Sequence, residues 1–123
     1  MPALRPKVLV VDRASAATTS LLARLGAHGM HVAWARDDDG ARRALEGARV
    51  DGMIIAMRTP RIDAISLLRR ARAGHPAACV VLTADAAGMR RAAEASREGA
   101  WDTLARPVDP ERLLAVLDRG LSH

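Results

Sequence analysis

The side chains able to do chemistry are thinly spread over the 123 residues. His28, His31, His75 and His123 stand alone, with no partner at the spacing of a metal site or a catalytic triad. A lone histidine is usually structural or exposed. Ser15, Thr18, Thr19 and Ser20 fall in the first helical stretch and read as polar groups on a helix surface rather than as activated hydroxyls. Cys79 lies within the apolar run ACVVL without a disulfide partner, which marks a small buried hydrophobe. These placements predict no enzyme, no metal site and no cofactor. Of the 19 basic residues, all but Lys7 are arginine, and they are spread along the chain rather than blocked in a tail, which a coding bias explains better than a function does.

Five apolar runs would have to position such groups: Lys7 to Val11, His31 to Ala35, Gly52 to Ala56, Ala78 to Thr83 and Trp101 to Ala105. A stretch with helical spacing follows each, and this alternation predicts βα units around a parallel sheet. The first, third and fourth runs are continuously apolar, as strands buried on both faces are, whereas HVAWA and WDTLA admit polar residues and read as edges. Helix starts are marked by Asp37 to Asp39, by Asp63, by Asp85 before the Met89 segment, and by Asp109-Pro110-Glu111. Leu21, Leu22 and Leu25 give the first helix an apolar stripe, and Leu113, Leu114 and Leu117 the last, which Gly120 is expected to end.

Four segments, Val8 to Asp12, Asp51 to Pro60, Val80 to Ala84 and Gly99 to Glu111, resemble the receiver domains of bacterial response regulators, the CheY-like family of two-component phosphorelay signalling. The resemblance spans nearly the whole chain and implies a single receiver-like domain over 1–123. It also implies a flavodoxin-like doubly wound (βα)5 α/β fold, a five-stranded parallel sheet in order 2-1-3-4-5 with helices on both faces. In such folds ligands gather beyond the carboxyl ends of the strands. There the family carries an acidic pair for magnesium, a phosphoacceptor aspartate, a Ser or Thr and a lysine.

Here Asp12 matches the first acid, but Arg13 replaces the second. Ala56 stands at the phosphoacceptor position, Thr83 matches the hydroxyl, Arg106 replaces the lysine, and Thr103 falls where an aromatic switch residue is common. The resemblance therefore implies a degenerate pocket, a pseudo-receiver. Asp12 against Arg13 and Arg106 leaves one excess positive charge, so magnesium is expected to bind weakly or not at all. Arg58 and Arg61 at the rim deepen the positive potential. A site for a small anion or nucleotide, built from Arg13, Arg58, Arg106 and Thr83, is one reading. The other, preferred for Arg106, is a structural salt bridge to Asp12.

Without phosphorylation, surfaces remain. The family docks partners or a second copy through its fourth helix, fifth strand and fifth helix, which here implies Met89, Arg90, Ala93, Arg97, Trp101, Thr103 and Leu113 or Val116. Trp101 is the strongest candidate because tryptophan is enriched at binding hot spots. A protein partner, kinase, output regulator or homodimer, is expected. The net charge of +5 attracts acidic partners. Nucleic acid is not expected, since Phe and Tyr are absent, only Trp34 and Trp101 offer stacking, and no DNA-binding spacing occurs. With no apolar run near the roughly 20 residues of a membrane span, and an N-terminus unlike a secretory signal, the expected location is cytoplasmic.

Overall fold

The computed structural model describes residues 5–122, so His123 lies outside the described residues. Strand β1 (Lys7–Val11) leads to helix α1 (Ala16–Ala27), β2 (His31–Ala35) to α2 (Asp38–Gly47), and β3 (Gly52–Ala56) to α3 (Ala64–Gly74). Strand β4 (Cys79–Ala84) is followed by two short helices, α4 (Ala86–Met89) and α5 (Ala92–Arg97), then β5 (Asp102–Ala105) and α6 (Pro110–Leu121). The strands pair in parallel in the order β2-β1-β3-β4-β5. This is the flavodoxin-like doubly wound sheet that the resemblance implies, and its βα alternation is the one the apolar runs predict.

Alternation along each central strand divides the core into two layers. Leu9, Val11, Met53, Ile55, Val80 and Leu82 pack on one face against Ala41 and Leu45 of α2 and Leu67, Leu68 and Ala71 of α3. Val8, Val10, Ile54, Cys79 and Val81 pack on the other against Leu25 of α1 and Leu113, Leu114 and Leu117 of α6. The central strands are buried on both faces, while β2 exposes His31 and Trp34, as an edge can.

Helix starts follow the acidic caps. Asp37 accepts the Gly40 amide, Asp63 that of Ser66, Asp85 that of Gly88, and Asp109 that of Glu111, each satisfying an amide the first turn leaves unpaired. Ser15 does the same for α1 through the Thr18 amide, so it is a cap rather than a surface polar group.

Two expectations are corrected. The fourth helix is broken into α4 and α5: Asp85 starts one short turn, Arg90 and Arg91 separate the pieces, and Met89 is the sole large apolar side chain to hold the stretch on the sheet. Gly120 does not end the last helix, which runs to Leu121 and is capped by Ser122. A Cβ on Gly120 would fall inside contact with Cys79 Sγ and 3.0 Å from Trp101 Nε1, so the glycine is there for close packing. Among the described residues, no helix is long and apolar enough to cross a membrane.

Candidate functional site

The carboxyl ends of four of the five strands carry the candidate chemistry. Asp12 and Arg13 follow β1, Ala56 ends β3, Thr83 lies next to the end of β4, and Arg106 follows β5. Ala56 and Thr83 are register partners, and the Met57 amide donates to the Thr83 carbonyl at 2.8 Å. Both Ala56, 1% exposed, and Thr83, 3% exposed, are buried.

Above them opens a cleft of about 450 Å³ whose charged lining is Asp12, Arg13, Arg58, Asp85 and Arg106. Neither Ala56 nor Thr83 lines it. Three guanidiniums face two carboxylates, so the cleft keeps one excess positive charge, with Asp85 joining a balance in which the sequence placed Asp12 alone. Asp85 is held below the usual carboxylate range, first by the Gly88 amide it caps, then by Arg58 and Arg106. Arg58 Nε stands 3.9 Å from its Oδ1.

The expected Arg106–Asp12 salt bridge does not form. Arg106 Nη2 instead donates to the Met57 carbonyl at 2.7 Å, and its amide to the Ala84 carbonyl at 2.8 Å. Asp12 turns back on its own turn, where Oδ1 accepts the Arg13 amide at 2.7 Å. Its carbonyl accepts Trp34 Nε1–H at 2.9 Å. The groups expected for the anion site are thus partly brought together: Arg13, Arg58 and Arg106 share the cleft, and Thr83 does not.

A second cleft, of about 440 Å³, adjoins the first through Arg13 and Pro60 and is lined by Arg36, Asp37 and Arg61 as well. Arg36 was not among the sequence candidates. Its position directly after β2, like that of Arg13 near the end of β1, was the available signal.

A model of the family described as the response regulator receiver domain matches residues 8–118. The chain belongs to that family. The transcriptional regulatory protein ZraR of Escherichia coli K12 is 34% identical over 119 residues, an alignment covering 94% of this chain and 26% of the relative. This receiver domain therefore spans about a quarter of the length of the curated relatives it matches. Among solved structures, the signal receiver domain of an HD domain-containing protein from Pseudomonas fluorescens Pf-5 superposes with a TM-score of 0.89 at 28% identity, covering all of this chain and 91% of that one. The receiver domain of NtrX from Brucella abortus gives 0.86 at 26%, covering 94% and 98%.

On the receiver's opposite flank, Met89, Ala93, Trp101 and Thr103 line a shallow cleft of about 400 Å³, with Arg90 and Arg97 exposed on the broken α4–α5 segment. Leu113 does not reach this surface. It is fully buried, because its position on α6 turns it with Leu114 and Leu117 onto the sheet. Val116 is half-buried, and its carbonyl accepts Trp101 Nε1–H at 3.2 Å.

Proposed function

We propose that this receiver domain transmits a signal by docking proteins and does not depend on aspartyl phosphorylation. The observation that carries the reading is Ala56: the residue ending β3 beside Thr83 presents a buried methyl group, which can form no acyl phosphate. The charge of the cleft supports it. Magnesium, the cation the family's chemistry implies, wants several hard oxygen ligands, and the residues present do not fit it. Asp12 and Asp85 share their cleft with three arginines, and Asp12 has one oxygen engaged with the Arg13 amide.

Docking is assigned to the cleft around Trp101, which is 39% exposed between the α4–α5 segment and α6. Large, part-exposed aromatic side chains of this kind anchor protein interfaces. A histidine kinase, an output regulator or a second copy of the chain is the class of partner, and the cytoplasm the proposed place of action.

The test is an amide-resolved NMR titration with magnesium and beryllofluoride, an acyl-phosphate mimic that needs an aspartate and a bound cation. The reading expects no shifts at Ala56, Thr83 or Arg106. Saturable shifts there, spreading to Thr103 and Trp101, would defeat it.

A further inference from the structure

Three neighbouring strands each send one arginine into a single cleft. Strands β2, β1 and β3 are adjacent in the sheet, with Arg36 directly after β2, Arg13 after Asp12 at the end of β1, and Arg61 in the loop after β3. These three line the second cleft, of about 440 Å³. All three are exposed, and among the described residues none of them forms an ion pair. The one carboxylate in the lining, Asp37, is engaged as the N-cap of α2, accepting the Gly40 amide at 2.8 Å. Three guanidiniums against one carboxylate give this lining an excess of two positive charges, with Arg13 shared with the first cleft; the two clefts taken together, five guanidiniums against three carboxylates, keep the same excess.

Two of the three positions are partly fixed, Arg61 through its main chain and Arg36 through a ring contact. The Arg61 carbonyl accepts the Asp38 amide at 3.0 Å, and Asp38 Oδ1 accepts the Asp63 amide at 2.9 Å, which ties the loop after β3 to the start of α2. Arg61 is kept there at a φ of 68°, in the left-handed region. The Arg36 guanidinium lies 5.8 Å from the centre of the Trp34 ring. That indole is in turn anchored by its bond to the Asp12 carbonyl. Fixing groups before binding lowers the ordering cost a ligand must overcome, and like charges gathered without counter-charge are relieved by an anion.

We infer that the Arg13–Arg36–Arg61 cleft binds the dianionic phosphate of a phosphomonoester. Two excess charges match a dianion, and guanidinium forks suit phosphate oxygens. Trp34, 41% exposed, carries Arg36 over its ring and does not line the cleft, so the phosphate rather than an attached ring is the group recognised. The inference rests on the reading above only in leaving the cleft to a ligand rather than to a phosphoaspartate. A phosphoryl adduct from acetyl phosphate would defeat that reading without touching the experiment below.

The experiment is isothermal titration of AMP, ribose 5-phosphate and adenosine into the full chain, with Arg36→Gln, Arg13→Gln and, outside both clefts, Arg97→Gln. Circular dichroism confirms that each variant is folded. At least one phosphomonoester should bind saturably at one per chain. Arg36→Gln and Arg13→Gln should each weaken it about tenfold or more, the loss of one charge-assisted hydrogen bond. Arg97→Gln should leave it unchanged. Affinity should rise with pH through about 6, where such a phosphate loses its second proton. Absence of saturable binding by either phosphate, an equal loss in Arg97→Gln, or adenosine binding as tightly as AMP would overturn the inference.

Discussion

Arg106 Nη2 donates to the main-chain carbonyl of Met57 at 2.7 Å, tying the end of β5 to the residue that follows Ala56. The guanidinium is therefore a strut across the carboxyl edge of the sheet as well as a charge in the cleft. Any new group at position 56 arrives beside it.

Restoring a carboxylate alone should fail for that reason. In Ala56→Asp the new side chain meets the positive charges of Arg106 and Arg13, which hold its pKa down and occupy its oxygens as a salt-bridge partner. Titration of magnesium into Ala56→Asp should show no binding, whereas Ala56→Asp combined with Arg13→Asp, which places two new carboxylates near Asp12, should bind it. Magnesium binding and efficient acetyl-phosphate labelling by the single variant would show that Arg13 does not obstruct the site.

Gly120 tests the packing of α6. Alanine favours a helix interior by about 1 kcal/mol over glycine. Here its methyl would collide with Cys79 Sγ and lie 3.0 Å from Trp101 Nε1. Overpacking of this kind costs about 1–3 kcal/mol, so Gly120→Ala should be destabilising in urea unfolding. Adding Cys79→Ala should recover part of the loss. A more stable Gly120→Ala would mean that α6 shifts freely over β4.

Cys79 should be inert while the chain is folded. Burial pushes its thiol up to about 11 from 9.0. A disulfide reagent at mildly alkaline pH should label it slowly in the native state and completely in urea. Between about 9 and 11 the unfolded chain gives up this proton and the folded chain keeps it. The Cys79 contribution to stability should therefore fall as pH rises through that window. Cys79→Ala should flatten that part of the curve, and an unchanged curve would assign the loss to other groups.

Trp101→Ala should weaken capture of a protein partner, since it empties the centre of the proposed docking cleft. The indole also donates to the Val116 carbonyl, so the variant should lose about 1–2 kcal/mol of stability as well. Affinity is best compared well below the unfolding transition. Capture equal to that of the native chain would leave Trp101 a packing residue.

Much of the fold was legible because the apolar runs are bounded sharply. Strands β1, β2 and β3 begin and end where the sequence places them, and the acidic caps mark four helix starts. What the sequence hid depends on contacts between distant residues. Gly120 looked like a helix stop because its close neighbours, Cys79 and Trp101, are far off in the chain. Leu113 looked available to a partner, yet the turn of α6 buries it. The candidate site was half visible. Asp12, Arg13, Arg58 and Arg106 were placed around one cleft, but the direction of the Arg106 side chain was not. Nor was the left-handed backbone at Arg58 and Arg61, a conformation that residue type alone would assign to glycine or asparagine.

The central claim, that this receiver works without a phosphoaspartate, is tested most directly by incubating the native chain with acetyl phosphate and magnesium and measuring its intact mass. The account predicts an unchanged mass, because Ala56 offers no oxygen to phosphorylate. A stoichiometric gain of one phosphoryl group, stable in acid and lost in base, would contradict it.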